Sequence, residues 1–520
     1  MSDFPWLIAL VLVPLLGAVA VSFLPAGRGE PLPKKVGLGV ALVTLLIGLA
    51  ILAGYLTGGG DTTSAGGGEQ FDVSYSWISL FGAHFALGVD GLSLVMVVLT
   101  VVLVPLVMIA SWNESDEGNT KSFFGWVLAL EAMSLAVFTA TDVFLFYVVF
   151  EATLIPAYFL VAGFGREGRS RAATKFLLYQ LAGGLVMLGS VIGLYVVSAD
   201  AGTPSYLISD LAAIDIDPTA QRWLFVGFFI AFAAKAPMFP LHTWLADTTE
   251  KATPSTSVLL VCVLDKIGTY GMLRFCLGLL PEASEWATPV VVVLALVSVV
   301  YGALVAIGQD DVLRLIGLTS LSHFGLIVLG IFVFSGAGSA GAVLYMVNHG
   351  IATAALFLIA GFVIRRTGTA SISAMGGLEK TVPVLAGVFL VAGLAAAGLP
   401  GLSPFVSEVL VLIAAFNHAW WAGAVAVTSI VLAAIYILWT YQRTFTGPAR
   451  AEYAAVTDID RRELGAVVPL LVALVVFGFF PMPVLDVINP AVDDILSQVG
   501  VLEDPPTVEV PSDATEGADQ

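Results

Sequence analysis

Charge is scarce in this chain. Of its 520 residues only 12% are Asp, Glu, Lys or Arg, and 58% are hydrophobic; a soluble domain carries about 25% charged residues. A globular core of this length cannot hide so much apolar side chain from water, but a bilayer can, so the composition excludes an ordinary soluble domain. Cysteine is scarcer still. Cys262 and Cys276 each sit inside an apolar run with no Cys/His cluster nearby. That excludes zinc and iron–sulfur ligation, and both read as small buried hydrophobes. No Gly-rich loop of the GxGxxG or GxxxxGKS type is present, so no nucleotide, flavin or other cofactor is expected on this chain. A basic stripe is also lacking, which excludes nucleic acid as a partner.

Apolar stretches long enough to cross about 30 Å of hydrocarbon are abundant. They fall at 4–24, 35–56, 88–110, 122–140, 142–163, 172–198, 222–246, 254–279, 287–307, 311–334, 341–364, 381–417, 420–445 and 464–486. All should be helices, because lipid offers no partner to an unpaired backbone group. The expected fold class is therefore an all-α polytopic membrane protein of about fourteen transmembrane helices. The first stretch has no basic segment before it and reads as a retained helix, not a cleaved signal. Number the loops alternately outside and inside, starting outside. All but four of the 21 Lys and Arg then fall on the inner side. The four are Arg222 and Arg274, on the outer side, and Lys235 and Lys266, inside spans. Such segregation predicts a multi-pass membrane protein with both termini outside.

The net charge of −18 is partly a tail effect: between Glu503 and Gln520 there are acids and prolines but no Lys or Arg. That composition predicts a solvated, disordered end. The expected organisation is 1–120 for three helices and an outer Gly-rich loop around Gly58 to Gly68, then 121–280 and 286–446 for two five-helix units. A last helix at 447–486 and an acidic disordered tail at 487–520 complete it.

Several ionisable residues lie where they are costly. A charge near the bilayer centre costs about 2.5–3.5 kcal/mol even on insertion scales, so such groups face a bundle interior or a water-filled cavity. Here they are Glu131, Glu151, Lys235, Asp265, Lys266 and Glu408, together with His323 and His349. Glu131 and Glu151 flank the tight turn at Ala140-Thr141, each about 15 Å from it at 1.5 Å per residue. They share a proton if their helices present them to each other; otherwise Glu131 is structural. Asp265 and Lys266 are adjacent, hence about 100° apart on a helix, and Asp265 is a candidate structural partner for another helix. Asp142 reads as a helix cap.

Lys235 is followed by Pro237 and Pro240, and Glu408 follows Pro400 and Pro404. Proline inside a span breaks the helix. Interrupted helices at corresponding positions of two halves point to ion sites in transporters. The two spans are the seventh and the twelfth. An odd offset reverses direction, so inverted repeats of helices 4–8 and 9–13 are expected.

These segments resemble a known family. Leu87-Gly-Val-Asp-Gly-Leu-Ser is similar to its LGVDGxS motif, and Phe150-Glu-Ala-Thr-Leu-Ile-Pro to FExxLIP. The Lys235 run through His242-Thr-Trp-Leu-Ala-Asp is similar to KxPxxPxHxWLxD. Asp265-Lys-Ile-Gly-Thr-Tyr-Gly-Met-Leu-Arg, Ser322-His-Phe-Gly and Met375-Gly-Gly-Leu also match. Together they resemble the M-subunit family of bacterial NADH–quinone oxidoreductase, respiratory complex I, over about residues 85–445. The resemblance implies a fourteen-helix proton channel unit with no redox centre. NADH, FMN, iron–sulfur clusters and quinone would sit on other subunits. The partners would be lipids, protons and other membrane subunits, two of them antiporter-like, and the location the bacterial cytoplasmic (inner, plasma) membrane. Glu151 would pair with Lys235, Lys266 would be the relay lysine, His323 and His349 the central path, and Glu408 the terminal glutamate. Asp265 stands where relatives carry an apolar residue. Three other readings stay open: the D subunit of a multisubunit sodium/proton antiporter, a stand-alone solute carrier, and an inert scaffold subunit.

Overall fold

Each apolar stretch folds as helix, which pairs its backbone N–H and C=O groups internally. The structure is a computed structural model and describes residues 4–25, 30–58, 69–117, 119–202 and 204–500. In chain order the helices are α1 (Trp6–Ser22), α2 (Pro31–Leu56), α3 (Gly91–Ala110), α4 (Thr120–Thr139), α5 (Val143–Phe164) and α6 (Arg169–Asp200). Then come α7a (Pro218–Lys235), α7b (Thr243–Lys251), α8 (Pro254–Leu277), α9 (Pro281–Ile307), α10 (Val312–Phe332) and α11 (Gly336–Thr367). The last are α12a (Pro383–Ala396), α12b (Ser403–His418), α13 (Trp420–Phe445), α14 (Arg461–Phe479) and α15 (Met482–Gln498). Among the described residues, 11 helices are long and apolar enough to cross a membrane. The remaining expected stretches fall on the shorter α1 and on the interrupted pairs α7a/α7b and α12a/α12b.

Burial ranks these helices. The apolar lengths of α8 and α10 are wholly buried and that of α11 nearly so, whereas those of α2 and α14 are only 28% buried. The centre of the bundle is thus built from α8, α10 and α11, which carry Lys266, His323 and His349. Loops on one side meet only loops of that side in the backbone bridges Leu87–Ala140 and Asp142–Leu207, and on the other in Asp311–Ser371. Asp142 caps α5, accepting from the Leu145 N–H at 2.8 Å, as expected of an acid at a helix start.

Two elements depart from the sequence reading. An antiparallel hairpin, β1 (Gln70–Ile78) with β2 (Ala83–Val89), precedes α3. Its first strand alternates Phe71, Val73, Tyr75 and Trp77 with Asp72, Ser74 and Ser76, a two-residue period that favours a strand. The 487–520 tail is corrected as well: α15 runs to Gln498. The acids there conceal an amphipathic pattern, because Val487, Ile488, Ala491, Val492, Ile495 and Leu496 recur at helical spacing and are buried while Asp493 is exposed. Burying that stripe outweighs the solvation of the few acids between. The Gly-rich segment 59–68 and the tail from 501 lie outside the described residues.

Candidate proton-path site

The site begins at the first break. Pro237 has no N–H to continue the α7a ladder, so the helix stops at Lys235 and resumes at Thr243. The carbonyl of Ala234 accepts instead from Gln180 Nε2 at 3.1 Å and from Trp244 Nε1 at 3.0 Å. This explains the tryptophan that follows the prolines: it satisfies a carbonyl the break sets free. The second half of the broken helix, α7b, is tied to its neighbours by ion pairs of Asp247 with Lys175 (2.6 Å) and Arg314 (2.7 Å), and of Glu250 with Arg314 (2.8 Å). Helix α8 crosses close to the break. A methyl at Gly268 would lie 2.5 Å from the Ala236 nitrogen, so only glycine permits that approach. On either side of Lys266, α8 widens into π-helical turns at Leu259–Leu264 and Met272–Leu277, a distortion frequent at functional sites.

The second break is built differently. Gly398 takes a left-handed φ of 70°, and the chain re-enters helix at Ser403. Asn348 of α11 donates to the Ser403 carbonyl at 2.8 Å and to Ser407 Oγ at 3.2 Å, pinning α12b to the central helix. A methyl on Gly398 would overlap the carboxylate of Glu408. Gly398→Ala should therefore cost about 1–2 kcal/mol in backbone strain alone and displace Glu408. The expected result is a lower thermal-unfolding midpoint; an unchanged midpoint contradicts it.

Between the breaks the polar side chains form a line. Lys235, fully buried, donates to Thr153 Oγ1 at 3.0 Å and stands 4.1 Å from the Phe150 ring centroid. Lys266 Nζ donates to His349 Nδ1 at 2.6 Å and lies 4.2 Å from the Phe324 ring. The rings of His349 and His323 are 5.2 Å apart. His323 Nδ1 is 2.5 Å from the Tyr345 hydroxyl, which donates to Glu408 Oε1 at 2.5 Å. Tyr436 OH stands 3.3 Å from His323 Nε2. The stretch from Lys266 to Glu408 is thus hydrogen-bonded except at the step between the histidines.

Three expected pairings show no direct hydrogen bond or ion pair among the described residues. Glu131 and Glu151 do not share a hydrogen bond: both Glu131 oxygens are buried without a partner, while the Glu151 carboxylate lies against Gly184 of α6. Glu151 and Lys235 form no ion pair within 4.0 Å among the described residues; Thr153, at the irregular turn of α5, takes the lysine instead. Neither buried Asp265 oxygen takes a hydrogen bond within the structure.

Sequence reasoning missed Thr153, Tyr345 and Tyr436. Tyr345 carried a signal, being four residues before His349 and so on the same helix face. Thr153 lies inside the FExxLIP segment, and nothing local singles out Tyr436. Two other motif residues prove structural: Asp90 of LGVDG caps α3 and pairs with Arg274 at 2.7 Å. Among the described residues no three His, Cys, Asp or Glu side chains are grouped to hold a metal.

A multi-pass helical bundle with two interrupted helices and a buried line of titratable groups between them defines an antiporter-like membrane subunit. The family model described as NADH:quinone oxidoreductase/Mrp antiporter, TM, matches residues 140–433, and that of NADH-ubiquinone oxidoreductase chain 4, amino terminus, residues 72–139. The chain belongs to the subunit M family of NADH-quinone oxidoreductase. It is 46% identical to that subunit of Mycobacterium tuberculosis (strain H37Rv), with 98% of this chain and 97% of the relative covered. It is 36% identical to that of Escherichia coli K12, with 94% and 97% covered. In structure it is similar to a chain of respiratory complex I from Thermus thermophilus with bound NADH, with a TM-score of 0.85 at 32% identity over 95% of this chain and 100% of that one. A chain of the Mrp complex from Dietzia sp. DQ12-45-1b shares the fold, with a TM-score of 0.81 at 22% identity over 95% and 99%. The protein is accordingly an antiporter-like membrane subunit of the proton-pumping NADH:quinone oxidoreductase of a bacterial respiratory chain, working among the other membrane subunits of that complex.

Proposed function

We propose that this chain is itself a proton translocase, moving protons along Glu151, Lys235, Lys266, His349, His323 and Glu408, with Glu131 and Asp265 as further proton-holding groups beside the line. The single observation that carries the reading is the run of buried hydrogen bonds from Lys266 through His349, and from His323 to Glu408, laid between two broken helices. Electron transfer belongs to other subunits; this chain supplies no redox group. Glu151 and Lys235 act as a switchable pair. Closed, the carboxylate stabilises the ammonium; opened, the desolvated lysine loses proton affinity and yields its proton toward Lys266. The contact of Lys235 with Thr153 supports an open arrangement. Water links Lys235 to Lys266, because helix axes 8–10 Å apart exceed direct hydrogen-bond reach. Glu408 receives the proton and releases it outward.

The proposal includes the domain division at 121–280 and 286–446 as inverted repeats, supported by a break at Lys235 in one and before Glu408 in the other. It also places the protein in the plasma membrane, with both termini outside and two antiporter-like neighbours; the segregation of Lys and Arg supports the orientation. The test neutralises Lys235, Lys266 and Glu408 together and measures proton uptake into sealed vesicles holding the assembled complex. Uptake should fall to background. Retained uptake would make the subunit a scaffold.

A further inference from the structure

We infer that Tyr345 is a proton-relay residue, its hydroxyl passing the proton between His323 and Glu408. The inference rests on the path proposed above and adds a group to it. Three observations carry it. The hydroxyl stands 2.5 Å from both His323 Nδ1 and Glu408 Oε1, so one oxygen bridges two titratable groups that share no direct hydrogen bond among the described residues. Its side chain is fully buried. And a phenol can accept one proton while giving up another, where an aliphatic residue at the same place would interrupt the line.

The step balances without any co-reactant. A proton reaches His323 at Nε2, the edge facing Tyr436. The Nδ1–H bond breaks and its proton joins the Tyr345 oxygen, while the Tyr345 O–H bond breaks and that proton joins Glu408 Oε1. The imidazole ends neutral with its proton on the opposite nitrogen, the phenol ends neutral, and Glu408 has gained one proton. Rotation of the hydroxyl and return of the imidazole to its first tautomer reset the step. Because both nitrogens of an imidazole take part, the histidine moves charge across its own width, and the tyrosine spans the remaining distance to the second helix break. Asn348, three residues on, fixes α12b to α11 and so holds the acceptor in register with the phenol.

The test uses the intact complex in sealed vesicles. Tyr345→Phe keeps the ring and removes the bridge. Proton uptake should fall at least about tenfold, toward the 10²- to 10⁴-fold typical of a lost acid–base group. The deuterium solvent isotope effect on uptake should rise, a change that a packing role would not cause. Glu408→Gln in parallel separates the two ideas. If it blocks uptake while Tyr345→Phe pumps at the normal rate and isotope effect, the tyrosine inference is overturned and the path stands. If Glu408→Gln pumps normally, the path itself is overturned, and this inference with it. Should Tyr345→Phe not assemble, a fluorinated tyrosine placed at 345 keeps the shape and acidifies the phenol. The pH profile of uptake should then move toward lower pH, and an unmoved profile overturns the inference.

Discussion

Lys235→Ala is expected to reduce proton uptake by at least about 10²-fold, into the range of a lost acid–base group, in a complex that still assembles. Both halves of that expectation come from the contacts of the lysine. Its ammonium donates to Thr153 Oγ1, but the threonine hydroxyl donates in turn to the Phe150 carbonyl at 2.6 Å, so it keeps a partner when the lysine goes. No carboxylate lies within 4.0 Å of Nζ among the described residues. Truncation therefore leaves no bonded counter-ion stranded, the circumstance that makes breaking a buried ion pair cost about 3–5 kcal/mol. What is lost structurally is a cation–π contact with Phe150, worth about 2 kcal/mol when desolvated, set against the cost of burying the charge. Assembly should survive and transport should not. Full uptake by Lys235→Ala in sealed vesicles, with the complex intact on a native gel, would contradict the path at its first lysine.

How the path is legible in the sequence follows from which interactions are local. Lys235, Lys266 and Glu408 stand out because charge inside an apolar run has few explanations, and the proline pairs beside Lys235 and Glu408 announce the breaks. The helices are equally plain, since the bilayer dictates both their length and their hydrogen bonding. The partner of each charge is another matter. Thr153 meets Lys235 across 82 positions and Tyr345 meets Glu408 across 63, and no local pattern encodes such distances. The hairpin escaped notice because its alternation is short and lies beside a long glycine run. Helix α15 escaped because its acids dominate the composition while its six buried apolar residues set the fold. Whether Glu131 and Glu151 meet stayed open for a related reason: depth along two helices is readable from residue counts, but rotation about each axis depends on tertiary packing.

Lys266 offers the sharpest separation of a proton carrier from a fixed positive charge. Two variants are compared, Lys266→Arg and Lys266→Met. A guanidinium keeps the charge, the length and the capacity to donate to His349 Nδ1, yet it does not give up its proton inside a protein. If Lys266 serves only to place positive charge opposite His349, arginine should retain most of the uptake and methionine should lose it. If the lysine passes its proton on, both variants should lose uptake alike, by about 10²-fold or more, although arginine preserves the electrostatics. The second result is expected. The geometry favours it: Nζ is 2.6 Å from an imidazole nitrogen and faces the Phe324 ring at 4.2 Å, so the ammonium is directed at a neutral acceptor able to take its proton and not at a carboxylate that would hold it as an ion pair. The enclosure matters as well. Buried among the wide turns of α8 and the faces of α10 and α11, the lysine pays a desolvation cost for remaining charged, which drives the transfer. Arginine in the same enclosure has no neutral form to fall back on. Uptake near normal in Lys266→Arg would therefore remove this residue from the chain of carriers and leave it as an electrostatic fixture between the two halves.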